Sequence, residues 1–147
     1  MADPTTPSTK APWHLWVVGV VSLLWNSVGA MDFVMTQTRN AAYLKGVTPE
    51  QLAFFYGFPL WVVIAWGVAT WGGVLGSLLL LLRRGLAVCL FLLSLIGMVL
   101  TTIHNFGLSN GMQVMGAGAL AFSSTIFVIG VLLWVYARAM RKRGVLR

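Results

Sequence analysis

"LWVVIAWGVATWGGVLGSLLLLLRRGLAVCLFLLSLIGMVLTT", residues 60–102, decides the fold of this chain. Two apolar runs, Leu60–Leu82 and Leu86–Thr102, flank the turn Arg83-Arg84-Gly85. A bilayer hydrocarbon core of ~30 Å takes about 20 helical residues, within a range of about 17 to 25. Each run is long enough to cross, and so short a link makes the two helices antiparallel neighbours.

Working outward, Leu15–Thr36 and Ala119–Tyr136 are runs of the same kind, so the 147-residue chain carries four expected spans. Hydrophobic residues make up 59% of it and charged residues 9%, with a mean hydropathy of +0.86. A soluble domain carries about 25% charged residues because its surface faces water. This surface must face lipid or other helices. The expected fold is an all-α membrane protein, four transmembrane helices in an antiparallel bundle. Residues 13–140 form its membrane domain. Residues 1–12, with Pro4, Pro7 and Pro12, read as a disordered cytoplasmic tail, and 141–147 as a basic cytoplasmic tail.

Charge placement sets the topology. Lys10, Arg83, Arg84, Arg138, Arg141, Lys142, Arg143 and Arg147 fall on one side of the four spans, and only Arg39 and Lys45 on the other. The positive-inside rule then puts both termini and the Arg83–Gly85 turn in the cytoplasm. The net charge of +7 suits anionic lipid headgroups rather than nucleic acid, because the basic residues cluster directly beside the last span. Val28-Gly29-Ala30 resembles a signal-peptidase site, but Trp25 and Asn26 interrupt the apolar region before it, and an uncleaved first span is expected.

Thr48-Pro49-Glu50-Gln51 reads as a helix start, with Thr48 as N-cap, Pro49 at the first position and Gln51 closing a capping box. It begins either a short helix on the outer interface, ending at Gly57-Phe58-Pro59, or a longer second helix kinked at Pro59.

Small and polar residues recur at helical spacing. Gly19, Ser22, Asn26 and Gly29 share a face of the first span, as do Ala65, Ala69, Gly72 and Gly76 of the second. Ala87, Ser94, Gly97, Thr101 and His104 line up in the third, and Gly116, Ala119, Ser123, Gly130 and Ala137 in the fourth. Lipid gives apolar bulk no preference for helix contact, so close backbone approach at such stripes drives packing. Gly19, Gly29, Gly72, Gly76, Gly97 and Gly130 are the expected packing positions. Facing all four stripes inward makes a monomeric bundle, while Gly72, Gly73 and Gly76 offer an alternative dimer seam. Trp61, Trp66 and Trp71 scatter around their helix and read as interface and lipid-facing residues, not as an aromatic cage.

Few residues offer chemistry. Asn26 lies near mid-span, where a buried amide needs partners such as Ser22, Ser94 or Thr101. Asp32 is the one acidic residue in a span, and His104, followed by Asn105, lies near the same end of the third. Ionisable groups in membrane segments are candidate proton carriers or ligand contacts; the plainer alternative is that Asp32 caps the interface or pairs with Arg39. Cys89 reads as a small hydrophobe buried in an apolar run. No metal-ligand set, phosphate loop or catalytic triad is spaced for use, so no cofactor, metal site or enzyme activity is expected.

The segments "LLWNSVGAMD" (23–32), "FYGFPLWVV" (55–63), "WGGVLGSLLLLLRR" (71–84) and "VLLWVYARAMRKRGVL" (131–146) resemble a family of small four-span bacterial inner-membrane proteins. The likeness runs from Trp13 onward. Some members carry a sugar-transporter label, and transport is what that label implies, with no residue roles to carry over. Two functions follow. The leading one is a structural or accessory subunit packed against a larger membrane complex or a second copy. The alternative is a small-solute transporter acting as a homo-oligomer.

Overall fold

A computed structural model describes residues 9–147. Four helices in it are long and apolar enough to cross a membrane: α1 (Trp13–Gln37), α3 (Leu60–Leu81), the rod formed by α4 (Ala87–Thr102) with its extension to Leu108, and α6 (Ala117–Lys142). They run antiparallel, and no strand occurs among the described residues. Two shorter helices, α2 (Pro49–Tyr56) and α5 (Gly111–Met115), lie at the end of the bundle away from the chain termini. We call that the aromatic end and the opposite one the basic end.

α2 resolves the two readings of the Thr48 start in favour of a separate short helix. Thr48 Oγ1 accepts from the Gln51 amide at 3.2 Å, and Gln51 Oε1 accepts from the Thr48 amide at 3.3 Å. Together they satisfy two donors at the helix start. Gly57 closes α2, and Pro59, with ψ 154°, restarts the chain as the N-cap of α3.

Close backbone approach holds the middle of the molecule. A Cβ built on Gly97 would lie 2.5 Å from the Ala65 carbonyl oxygen and 2.9 Å from the Ala69 amide nitrogen, so α4 touches the α3 backbone itself. Gly72 and Gly76 face the same helix, meeting Ser94 and the Phe91 ring. Ser94 Oγ donates to the Ala69 carbonyl at 2.6 Å, satisfying a hydroxyl that lipid could not. On the other side, Gly19 abuts Leu81 and Gly73 abuts Asn26, so α3 packs on α1 with a second small-residue face. The Gly72–Gly76 region is thereby used up within the chain, and the alternative of a dimer seam there is withdrawn. Gly29 makes only an ordinary contact, 3.8 Å to Thr70. Gly130 would bring a Cβ to 2.9 Å from Leu95.

The helices pack in the order α1, α3, α4, α6. At the basic end this row closes around Leu15, Leu80, Phe91, Leu133 and Met140. His14 Nδ1 lies 2.5 Å from Tyr136 Oη there, tying α1 to α6. The chain end folds into the same core. Val145 and Leu146 are buried, the Arg147 amide donates to the Arg83 carbonyl at 2.9 Å, and the Gly85 amide donates to the Arg147 carbonyl at 2.6 Å. Arg83 supports this seam, donating to the carbonyls of Val145 at 3.1 Å and Thr9 at 2.6 Å. Of the tail expected to be disordered, residues 1–8 lie outside the described region, and from Thr9 onward the chain is anchored. The stretch 141–147 begins as the last turn of α6 and ends docked beneath the bundle.

Toward the aromatic end α1 and α6 part. Buried positions on α6 are confined to Gly130, Leu133, Ala137 and Met140, leaving Ala119 and Ser123 of the same stripe without a helix against them. The four stripes therefore do not all close inward. α6 pivots on Gly130, where the missing side chain lets it approach Leu95 of α4, and diverges beyond. Cys89 sits on the outward face rather than buried.

Candidate functional site: a cleft between the first and last helices

The divergence of α1 and α6 opens a cleft of about 520 Å³ at the aromatic end. Each wall is one helical face. On α1, Trp25, Gly29 and Asp32 recur at steps of four and three; on α4 and its extension, Met98, Thr101 and Asn105; on α6, Ala119, Ser123 and Ile126. The roof is aromatic. Phe54, Phe55 and Phe58 come down from α2 and its exit, and Trp66 rises from α3. Trp66 packs edge-on to Phe33 at 5.1 Å and Phe58 at 6.1 Å, and stacks on Phe55 at 6.1 Å.

This cluster modifies the sequence reading of the tryptophans. Trp61, Trp66 and Trp71 do point in different directions, but Trp66 draws its aromatic partners from other elements. Trp61 instead faces His104, with ring centroids 5.6 Å apart.

Asn26 sits at the closed bottom of the cleft. Its Nδ2 donates to the Ser22 carbonyl at 2.9 Å and to Ser77 Oγ at 3.2 Å. Ser22 was among its expected partners; Ser94 and Thr101 were the others, and neither bonds to it. Ser94 reaches Ala69 and Thr101 reaches the Gly97 carbonyl at 2.8 Å. Ser77, the partner missed, lies one α-helical turn beyond Gly73, which places its hydroxyl over the same gap. Asn26 is thus a structural link between α1 and α3.

Asp32 stands at the mouth, half-buried. It does not pair with Arg39, whose guanidinium lies over the Tyr56 ring at 4.2 Å. Its Oδ1 instead accepts from Tyr43 Oη at 2.8 Å, on the short 3₁₀ turn Tyr43–Gly46. That bond to a carboxylate holds the Tyr43 phenol above its ordinary pKa, with partial burial and the Asp32 charge adding to the effect. Tyr43 escaped sequence analysis because nothing in the spacing Asp32–Tyr43 reveals that the loop doubles back over α1.

His104 and Asp32 are not brought together. His104 turns from the cleft, wedged edge-on between Phe58 at 5.3 Å and Trp61, with Nδ1 3.2 Å from Asn105 Oδ1. Both residues belong to a π-helical turn, Ile103–Leu108, which extends α4. Ser109 Oγ bonds back to the carbonyls of His104 at 2.8 Å and Asn105 at 3.1 Å, stabilising carbonyls that the widened turn exposes. Such turns commonly re-aim side chains at functional sites. Here it puts Asn105 on the cleft and His104 outside it.

Among the described residues no group of three or more His, Cys, Asp or Glu side chains is placed to hold a metal. Four helices of membrane-crossing length and composition make this a multi-pass integral membrane protein, with an open cleft between α1 and α6. No protein-family model, curated protein or solved structure matches the chain.

Proposed function

We propose that this protein binds a small molecule in the α1–α6 cleft and handles it as a carrier, without covalent chemistry, in a bacterial inner membrane. The observation that carries this reading is the cleft itself. A largely apolar hollow of about 520 Å³ with a few polar groups at its mouth has the size and character of a ligand site. The accessory role draws on the dominance of packing stripes, and that support weakens where α6 parts from α1 and leaves Ala119 and Ser123 unpacked. The orientation with both termini cytoplasmic rests on the eight basic residues gathered at one end against two at the other.

Native mass spectrometry of protein released from nanodiscs tests the reading. Parent protein should carry adducts of small-molecule mass that Ser123→Trp, which fills the cleft, no longer carries. Identical adducts in both would remove it. The accessory reading keeps one observation in its favour: α6 has no buried residue over its first half, residues 117–129. Stoichiometric recovery of a larger membrane protein after mild-detergent purification would restore it.

A further inference from the structure

We infer that the ligand of this cleft is a lipophilic cation, entering sideways from the bilayer between α1 and α6; this rests on the cleft being a binding site. Three observations converge on that chemistry. The lining contains one carboxylate, Asp32, and no Lys, Arg or His. An anion would therefore find no countercharge, whereas a cation finds one at the mouth. Tyr43 occupies Oδ1 of that carboxylate, which leaves Oδ2 for a ligand. Rings line the same cleft: Trp25 on α1, Trp66 on α3 and Phe122 on α6. Aromatic faces attract organic cations through the ring quadrupole, most strongly where water is displaced. The remaining wall is apolar and suits the hydrophobic body of such a molecule.

The route follows from the packing order. α1 and α6 are the two ends of the row, tied at the basic end by His14 and Tyr136 and apart above it. The gap faces lipid along α1 and α6 and opens to interfacial water at half-buried Asp32, the level at which a hydrophobic cation concentrates. Asp32, near the aromatic end of α1, sits at the depth to meet its charge. An intramembrane carboxylate facing a cavity is costly unless partnered or wetted, and a cationic ligand partners it.

The test uses tetraphenylphosphonium and its near-isosteric anion tetraphenylborate, measured by equilibrium dialysis against the full chain in nanodiscs of zwitterionic lipid, with empty nanodiscs subtracted. The parent should bind the cation in preference to the anion. Asp32→Asn should weaken cation binding by about tenfold or more while sparing the fold, read by thermal melting. Tyr43→Phe, which frees Oδ1 but keeps the charge, should retain the preference, and Ser123→Trp should abolish binding. Binding that Ser123→Trp blocks but that favours neither ion, favours the anion, or ignores Asp32→Asn would overturn the cation assignment and leave the cleft as a site. Absence of binding, or binding indifferent to Ser123→Trp, would likewise overturn the cation assignment, while the adduct comparison decides whether the cleft is a site at all.

Discussion

Asn26 Nδ2 lies 3.2 Å from Ser77 Oγ, and Asn26 Oδ1 fills the space that a side chain at Gly73 would need. The amide bridges α1 and α3 only because position 73 has no Cβ. Gly73→Ala should therefore push Asn26 off its bonds and destabilise the fold by about 1–3 kcal/mol. Gly118→Ala, where a Cβ meets nothing within 4 Å, should be neutral. Thermal melting in one detergent compares them, and equal midpoints would mean that α1 and α3 do not meet this way.

Gly97→Ala tests the α3–α4 contact. Its new methyl would press on the backbone of Ala65 and Ala69, which cannot swing aside as a side chain can. Gly85→Ala meets nothing nearer than 3.4 Å. The first should lower assembly yield and melting temperature, the second should not. The same contrast applies to Gly76→Leu, which would collide with Phe91.

The Tyr43–Asp32 bond has a definite pH signature. The folded-state pKa of Tyr43 is raised above the ordinary value of 10.0, first by the bond to Asp32. Its contribution to stability is thus fully present below about pH 10 and lost as pH rises through the raised native value. In the tyrosinate absorbance of the folded protein, Asp32→Asn should bring the late titration of the Tyr43 phenol earlier. Superimposable curves would show that the loop does not lie over α1.

Topology is tested in intact cells. A cysteine replacing Ser109 should react with an impermeant reagent from outside, and one replacing Arg141 only after lysis. The reverse order would overturn the orientation argued from charge.

Much of the architecture was legible because membrane helices announce themselves by length and apolarity, and small residues by their spacing. The capping box at Thr48 was readable because all its partners lie within four residues. What stayed hidden depends on contacts remote in sequence. Nothing in α6 says that its stripe is gripped at Gly130 and Ala137 but abandoned at Ala119 and Ser123; that depends on where α4 and the docked chain end meet it. Asp32 was picked out by its charge alone, whereas its partner Tyr43 needed the loop's path. The π-turn that holds both His104 and Asn105 has no local motif to signal it, so nothing in the sequence says that Asn105 lines the cleft and His104 does not.

Water access to the α1–α6 cleft is the most direct measurement of all. In a Cys89→Ala background, Thr101→Cys and Ser123→Cys on facing walls should react with a water-soluble thiol reagent in the membrane. Thr125→Cys, at similar depth on the outward face of α6, should stay unreactive in lipid. Protection of Thr101→Cys and Ser123→Cys to the level of Thr125→Cys would contradict the open cleft, and with it the binding function.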